Sequence, residues 1–325
     1  MTGPDSRTAT RQPFRFLVSL PVIGPDLAGW RRRLERIERL GYHAVSVSDH
    51  VIGGWSMDVL VAMTAAAMAT TRLRIRSLVV ANDYRHPVFV HRSIASMDVL
   101  SGGRIELGLG TGWWPAEYAA LGLALDPPAV RVARLAEALD IIEGLFAGGP
   151  VDHEGTAYRV HGIEGRPPPV QRPRPPILVG GGSRGILELA ARRADIVGVL
   201  PTRGADARVP VESLTPEANA RRVAIIREAA TAAGRDPGGI PIQLSILASE
   251  VVGPDGSRRR VVSSLVPEAV VDASRDRELP GVVAGDVDEA CAMLREWRDR
   301  YGYSDVHVGT DAEAFAPVVE RLAGR

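Results

Sequence analysis

Apolar runs and amphipathic stretches alternate along the first third of the chain, with a period of roughly 30 residues. Strand-like runs occur at Phe14–Leu20, Ala44–Ser48, Arg74–Val80 and Arg104–Gly110. Between the first two, Leu27, Trp30, Leu34 and Ile37 recur at helical spacing, Glu35 and Arg39 form an i,i+4 pair, and Gly41 is placed to end the helix. Strand, helix, strand at this interval predicts βαβ units and a parallel sheet. A longer helix follows, with Val132, Leu135, Leu139, Ile142 and Phe146 on one face.

The middle of the chain departs from the repeat. Val151–Val160 reads as a small hairpin turning at Glu154-Gly155, and 165–176 is rich in proline and arginine, hence extended. The period then resumes, with strands expected at Ile177–Val179, Ile196–Leu200, Ile242–Leu247 and Asp305–Val308. Helices fit Arg184–Arg193, Pro216–Ala233, Asp286–Arg300 and Ala312–Leu322, and Asp286 with Glu289 has the spacing of a capping box. Eight such strands predict an α/β fold of the (β/α)8 TIM-barrel type with insertions, an open doubly wound sheet being the alternative. One barrel domain is expected over 13–325, behind a polar N-terminal arm at 1–12. The segment 257–280 reads either as a lid or as a surface helix.

Composition narrows the chemistry. Formal charge is balanced at zero and 45% of residues are hydrophobic. Neither a nucleic-acid nor a membrane partner is expected, and no run approaches the ~20 apolar residues that span a bilayer. A single cysteine, Cys291, gives no internal disulfide, and a reducing cytoplasm is the expected location. It falls on the apolar side of a helix and reads as a buried thiol. All 39 basic residues counted as Lys and Arg are arginine. Without lysine there is no Schiff base, and any anion held by charge is held by arginine. No metal site is expected: His43, His86, His91, His153, His161 and His307 are scattered, although Asp305 and His307 share one face of the last strand.

In such a barrel, reactive groups belong at strand carboxyl ends. The second strand ends Ser48-Asp49-His50, offering a histidine for proton transfer. The fourth ends in Gly108–Gly112 followed by Trp113 and Trp114; alternating glycines admit a planar ligand, and the tryptophans could wall a pocket or merely seal the barrel rim. The fifth runs into Gly180, Gly181, Gly182 and Ser183, with Ser183 placed to cap a helix whose free amides would attract phosphate.

The stretches RLGYHAVSVSDH (39–50), SGGRIELGLGTGWWPAEY (101–118), VDHEGTAYRV (151–160) and PVQRPRPPILVGGG (169–182) resemble, in content and order, the luciferase-like monooxygenase superfamily, within it the branch of coenzyme F420-dependent oxidoreductases. The resemblance implies hydride transfer between coenzyme F420 and a small organic substrate. It implies His50 as proton donor or acceptor and Asp49 beside the cofactor ring. It further implies a non-prolyl cis peptide at Ser77-Leu78, close passage of Gly110, Thr111 and Gly112, and a phosphate held at Gly180–Ser183. Trp55, Trp113 and Trp114 would shape the substrate pocket, and a homodimer is the common state of the family. Some deazaflavin dehydrogenases carry Glu at the position of Trp113 and Asn at that of Ala116; their absence points away from sugar phosphates and toward a more apolar substrate. An FMN-dependent two-component monooxygenase and a non-catalytic cofactor-binding protein are the alternatives. The phosphate loop would follow the fifth strand, whereas barrels usually hold phosphate after the seventh and eighth.

Overall fold

The computed structural model describes residues 12–53, 57–204 and 208–325. Eight parallel strands close on themselves: β1 (Arg15–Ser19), β2 (Ala44–Val47), β3 (Arg74–Ser77), β4 (Ile105–Gly110), β5 (Ile177–Gly181), β6 (Ile196–Val199), β7 (Ile242–Ser245) and β8 (Tyr303–His307). Closure is made by β1 pairing with β8 and β3 pairing with β4. The expected barrel is therefore present, and the doubly wound alternative falls. The expected N-terminal arm lies outside the described residues except Gln12, whose amide reaches the carbonyl of Gly239 at 3.5 Å. No helix among the described residues is long and apolar enough to cross a membrane.

Strand alternation sorts the side chains onto two faces. Val45, Val47, Leu107, Leu109, Val197 and Val199 join the main core under the helices, a cluster that runs from Phe14 to Leu322. The alternate face carries Arg76, Glu106, Gln243 and Asp305 and the glycines Gly108, Gly180 and Gly198, with the apolar Leu17 and Leu178 among them. Arg76 of β3 bonds Asp305 of β8 at 2.5 and 3.0 Å, across two intervening strands, and bonds Glu106 of β4 at 2.6 Å. Such bonds can only cross the barrel interior. All three groups are fully or almost fully buried. Burial pushes Glu106 up, but Arg76, His43 and Arg74 outweigh it and hold the carboxylate well below its usual range.

Helices follow most strands. Leu27–Arg39 starts on Asp26, whose side chain takes the amide of Gly29, and ends before Gly41 at φ +85°. Val287–Tyr301 carries the expected capping box of Asp286 and Glu289. Cys291 is buried on it, and burial pushes its thiol up.

Between β4 and β5 the short helix Pro115–Leu121 and the hairpin Pro150–Glu154/Arg159–Glu164 are added to the long helix Pro128–Ala147, whose Leu135, Leu139, Ile142 and Phe146 join the main core. Glu137 of that helix accepts the amides of Thr156, Ala157 and Tyr158 and so clamps the hairpin turn.

A second insertion, after β7, was not expected from sequence. Ala248–Val252 pairs antiparallel with Arg258–Val262 and parallel with Val282–Asp286. The segment 257–280 is thus neither purely a lid nor a single surface helix: it supplies a strand of this small sheet and the short helix Glu268–Ala273.

Candidate functional site

His50 leaves the end of β2 and meets the short helix Pro115–Leu121 that follows β4. Its Nδ1 lies 3.1 Å from Oε2 of Glu117. Glu117 is buried, and it also accepts the amide of Val51 at 2.6 Å and the hydroxyl of Tyr84 at 2.9 Å. Burial pushes Glu117 up, but the Val51 amide, Tyr84 and His50 together hold it below the ordinary carboxylate range. A carboxylate on Nδ1 orients the imidazole and makes Nε2 the acceptor nitrogen of the neutral ring. Sequence reasoning missed Glu117, although it stands within the quoted stretch 101–118. The signal was an acidic residue in the first turn after Pro115, four residues beyond Trp113.

Trp113 and Trp114 stack with ring centroids 5.5 Å apart and an interplanar angle of 6°. His50 stands edge-on to both, at 5.9 and 5.7 Å. The guanidinium of Arg203, in the loop after β6, sits 3.7 Å above the Trp113 ring. A contact from the β6 loop to the β4 loop passes over the end of β5, which lies between them in the sheet. The glycines and Ser183 are therefore gathered at the same mouth as His50. The count also holds: this loop follows the fifth barrel strand. Trp55 lies outside the described residues.

Asp49 is buried at the end of β2, where it accepts the amide of Ala81 at 3.1 Å and pairs with Arg85. Burial pushes its pKa up, against the pull of Arg85. Arg85 in turn bonds Asp58 at 2.6 Å. Asp49 thus ties the β2 end to the chain beyond β3.

The cis peptide is at Leu78-Val79, one bond later than expected. Pairing explains the offset. Val47 is in register with Ser77, and the amide of Leu78 still donates to the carbonyl of Val47 at 2.7 Å, so the ladder breaks after Leu78. The Ser77 hydroxyl exchanges hydrogen bonds with the backbone of Gly108, at 2.8 and 2.9 Å.

Beyond the break, Val79 packs on the β4 glycines. A Cβ on Gly108 would stand 2.0 Å from the carbonyl oxygen of Ser77, and one on Gly110 would stand 2.6 Å from a Val79 methyl. These two glycines are thus required by the chain itself. Gly112, at φ +70°, lies under the Tyr118 hydroxyl, and Thr111 offers its carbonyl to Tyr118 and Arg131 at 3.2 Å. Tyr118 is fixed in turn by Asp83 at 2.9 Å.

Gly180 has only ordinary neighbours at 3.5 Å and beyond. Gly181 and Gly182 are crowded by Ile186 and by the carbonyl of Leu200, with Cβ approaches of 2.4 Å at each. Ser183 occupies the N-cap position of Arg184–Arg193, but its side chain makes no cap hydrogen bond, contrary to expectation. Its backbone is extended, at φ −85° and ψ 156°, and it is exposed.

On the last strand, Asp305 is consumed by Arg76, and Nε2 of His307 lies 3.1 Å from the Ser19 hydroxyl.

The donors at this mouth suit a planar group with an anionic arm. The first-turn amides of Arg184–Arg193 have no side-chain cap. Nε of Arg203 is buried with no hydrogen-bond partner among the described residues, and burial pushes that guanidinium down to about 10. Aromatic faces, a histidine and unmatched cationic and amide donors fit a ring that carries phosphate.

A family model described as luciferase-like monooxygenase matches residues 9–262 of this chain. The chain belongs to the luciferase-like monooxygenase family. It is similar to the F420-dependent glucose-6-phosphate dehydrogenase 1 of Rhodococcus jostii, 31% identical over 288 residues, which cover 81% of this chain and 82% of that one. It is also similar to the F420-dependent glucose-6-phosphate dehydrogenase of Microbacterium testaceum, 34% identical over 185 residues, 55% of this chain and 54% of the relative. The chain spans about half the length of the first curated relatives it matches. Among solved structures, monooxygenase RslO1 from Streptomyces bottropensis is 25% identical with a TM-score of 0.72, covering 95% of this chain and 97% of that one. This member of the luciferase-like family thus carries, at the strand carboxyl ends of its barrel, the pair of His50 and Glu117 beside two stacked tryptophans.

Proposed function

We propose that the protein is an oxidoreductase that moves a hydride between coenzyme F420 and a small, largely apolar organic substrate. The observation that carries this reading is His50, held on Nδ1 by the buried Glu117 and faced edge-on by Trp113 and Trp114 at the strand carboxyl ends. When bound, the deazaflavin supplies the carbon that gives or takes the hydride. His50 gives or takes the accompanying proton at Nε2, with Glu117 fixing the ring and balancing the imidazolium. The backbone of Thr111 and Gly112, pinned by Tyr118 and Arg131, supports the ring plane. The first turn of Arg184–Arg193, with Gly181, Gly182 and Ser183 before it, holds the phosphate. Trp113 and Trp114 exclude water and give the substrate an apolar wall. The F420-dependent relatives support the cofactor assignment.

Fluorescence titration of the purified protein with oxidised F420 and, separately, FMN tests the reading. Preferential binding of F420 is expected, and wild-type turnover in His50→Ala would remove the proton role. The second reading is an FMN-dependent monooxygenase, favoured by the likeness to RslO1. Preference for FMN, with oxygen consumed on addition of reduced flavin, would install it instead.

A further inference from the structure

The opposite end of the barrel carries chemistry that the reaction above leaves unused. A cavity of about 510 Å³ opens there, its wall including Phe14, Arg15, Tyr42, His43, Arg72 and Arg74. Arg15 opens β1, His43 precedes β2 and Arg74 opens β3, so the cavity faces the strand amino ends, remote from His50. This face of a barrel ordinarily serves stability.

The local charge balance shows a surplus. Arg74 spends its guanidinium on Glu106 and Gln171, both at 2.5 Å. Behind it, Arg76 takes the rest of Glu106 and the whole of Asp305. Arg72 has Glu38 within Coulomb reach, but Oε1 of Glu38 already accepts the amides of Thr71, Arg72 and Leu73. Arg15 points inward from the edge of the mouth and makes no ion pair among the described residues. Nε2 of His43 is buried 3.5 Å from Glu106 without a hydrogen bond of good geometry.

We propose that this amino-terminal mouth is a binding site for a small organic phosphate. Guanidinium groups grip phosphate through paired N–H···O bonds, and of the arginines in this wall Arg15 and Arg72 make no hydrogen bond to a carboxylate among the described residues. The volume exceeds what a bare oxyanion fills and lies in the range of metabolite pockets. The aromatic residues of the wall, Phe14, Phe16 and Tyr42, are themselves buried and offer no ring face for stacking a base, which favours a compact phosphomonoester over a nucleotide. The site is separate from the phosphate-binding helix start at Arg184 and does not depend on the proposed reaction.

Calorimetric titration of the full chain with β-glycerophosphate and with inorganic phosphate, against chloride at matched ionic strength, tests it. Saturable binding of β-glycerophosphate is expected, weakened at least tenfold in Arg15→Gln and in Arg72→Gln, with F420 affinity unchanged in both. A crystal of the wild-type protein grown with β-glycerophosphate is expected to show it between these two arginines, which keeps the test valid if a variant misfolds. Equal affinity for inorganic phosphate would overturn the organic class. Absence of binding, or binding seen only at the start of Arg184–Arg193, would overturn the site.

Discussion

At the scale of single residues, position and partner separate. Ser48-Asp49-His50 at a strand end marks a histidine for chemistry, and the structure gives that histidine a buried carboxylate. Glu117 acts through His50 and is a positioning residue. Glu117→Gln keeps an oxygen for the Val51 amide but loses the charge. Its kcat is expected to fall ~10- to 100-fold, with KM for the cofactor unchanged. A parallel rise in KM would mean that Glu117 shapes the cofactor site instead.

The glycines divide in the same way. Gly108→Ala would drive a methyl into the Ser77 carbonyl and is expected to cost about 1–3 kcal/mol. Gly180→Ala meets only contacts of 3.5 Å or more and is expected to cost less than about 1 kcal/mol. Urea unfolding of the two variants checks this contrast. Spacing alone marks both as glycines beside a ligand; only the position of the Ser77 carbonyl on the neighbouring strand tells that Gly108 is needed for packing.

At the scale of elements, periodic segments were legible and aperiodic ones were not. Arg184–Arg193 and Ala312–Leu322 match their expected bounds, because an apolar stripe and clear end signals define them. The insertion sheet is not legible in the sequence because Arg258–Val262 opens with three arginines, which carry no alternation. Its hairpin signal, Asp255-Gly256, lay in the sequence without a recognisable second strand.

The proline-rich segment shows how an aperiodic stretch is secured. Asp98, fully buried in the helix Pro87–Ser101, accepts the amides of Val170 and Gln171 and the side-chain amide of Gln171. Asp98→Ala would leave these donors unpaired, at about 1–3 kcal/mol each where they stay buried. Limited proteolysis is expected to cut first within 165–176 in that variant. An unchanged cleavage pattern would show that the segment is held by its other contacts.

At the scale of the whole molecule, buried ionisable groups set the response to acid. His91 packs against Phe146 at 4.5 Å between ring centroids, and burial pushes it down to about 4 from an ordinary 6.5. The unfolded chain therefore binds a proton between about pH 6.5 and 4 that the native state refuses. Its contribution is fully present above pH 6.5 and is lost as pH falls toward 4, up to about 3 kcal/mol. His91→Leu is expected to flatten the stability profile in that window, as read from urea midpoints; an unaltered slope would assign the acid sensitivity to other groups.

The order of apolar runs, the period of the βαβ units and the residues at strand ends follow from the sequence alone, because hydrophobic burial and hydrogen-bond periodicity act on near neighbours in the chain. The barrel, His50 and the glycine loops were legible for that reason. The partners were not. Glu117 for His50, Asp305 for Arg76 and Arg203 over Trp113 are separated by 67, 229 and about 90 residues, and only closure of the barrel brings them together. Charge, desolvation and orientation are properties of such pairs, so the tertiary structure alone decided that His50 lies on the buried Glu117 and that the guanidiniums of Arg15 and Arg72 make no hydrogen bond to a carboxylate among the described residues.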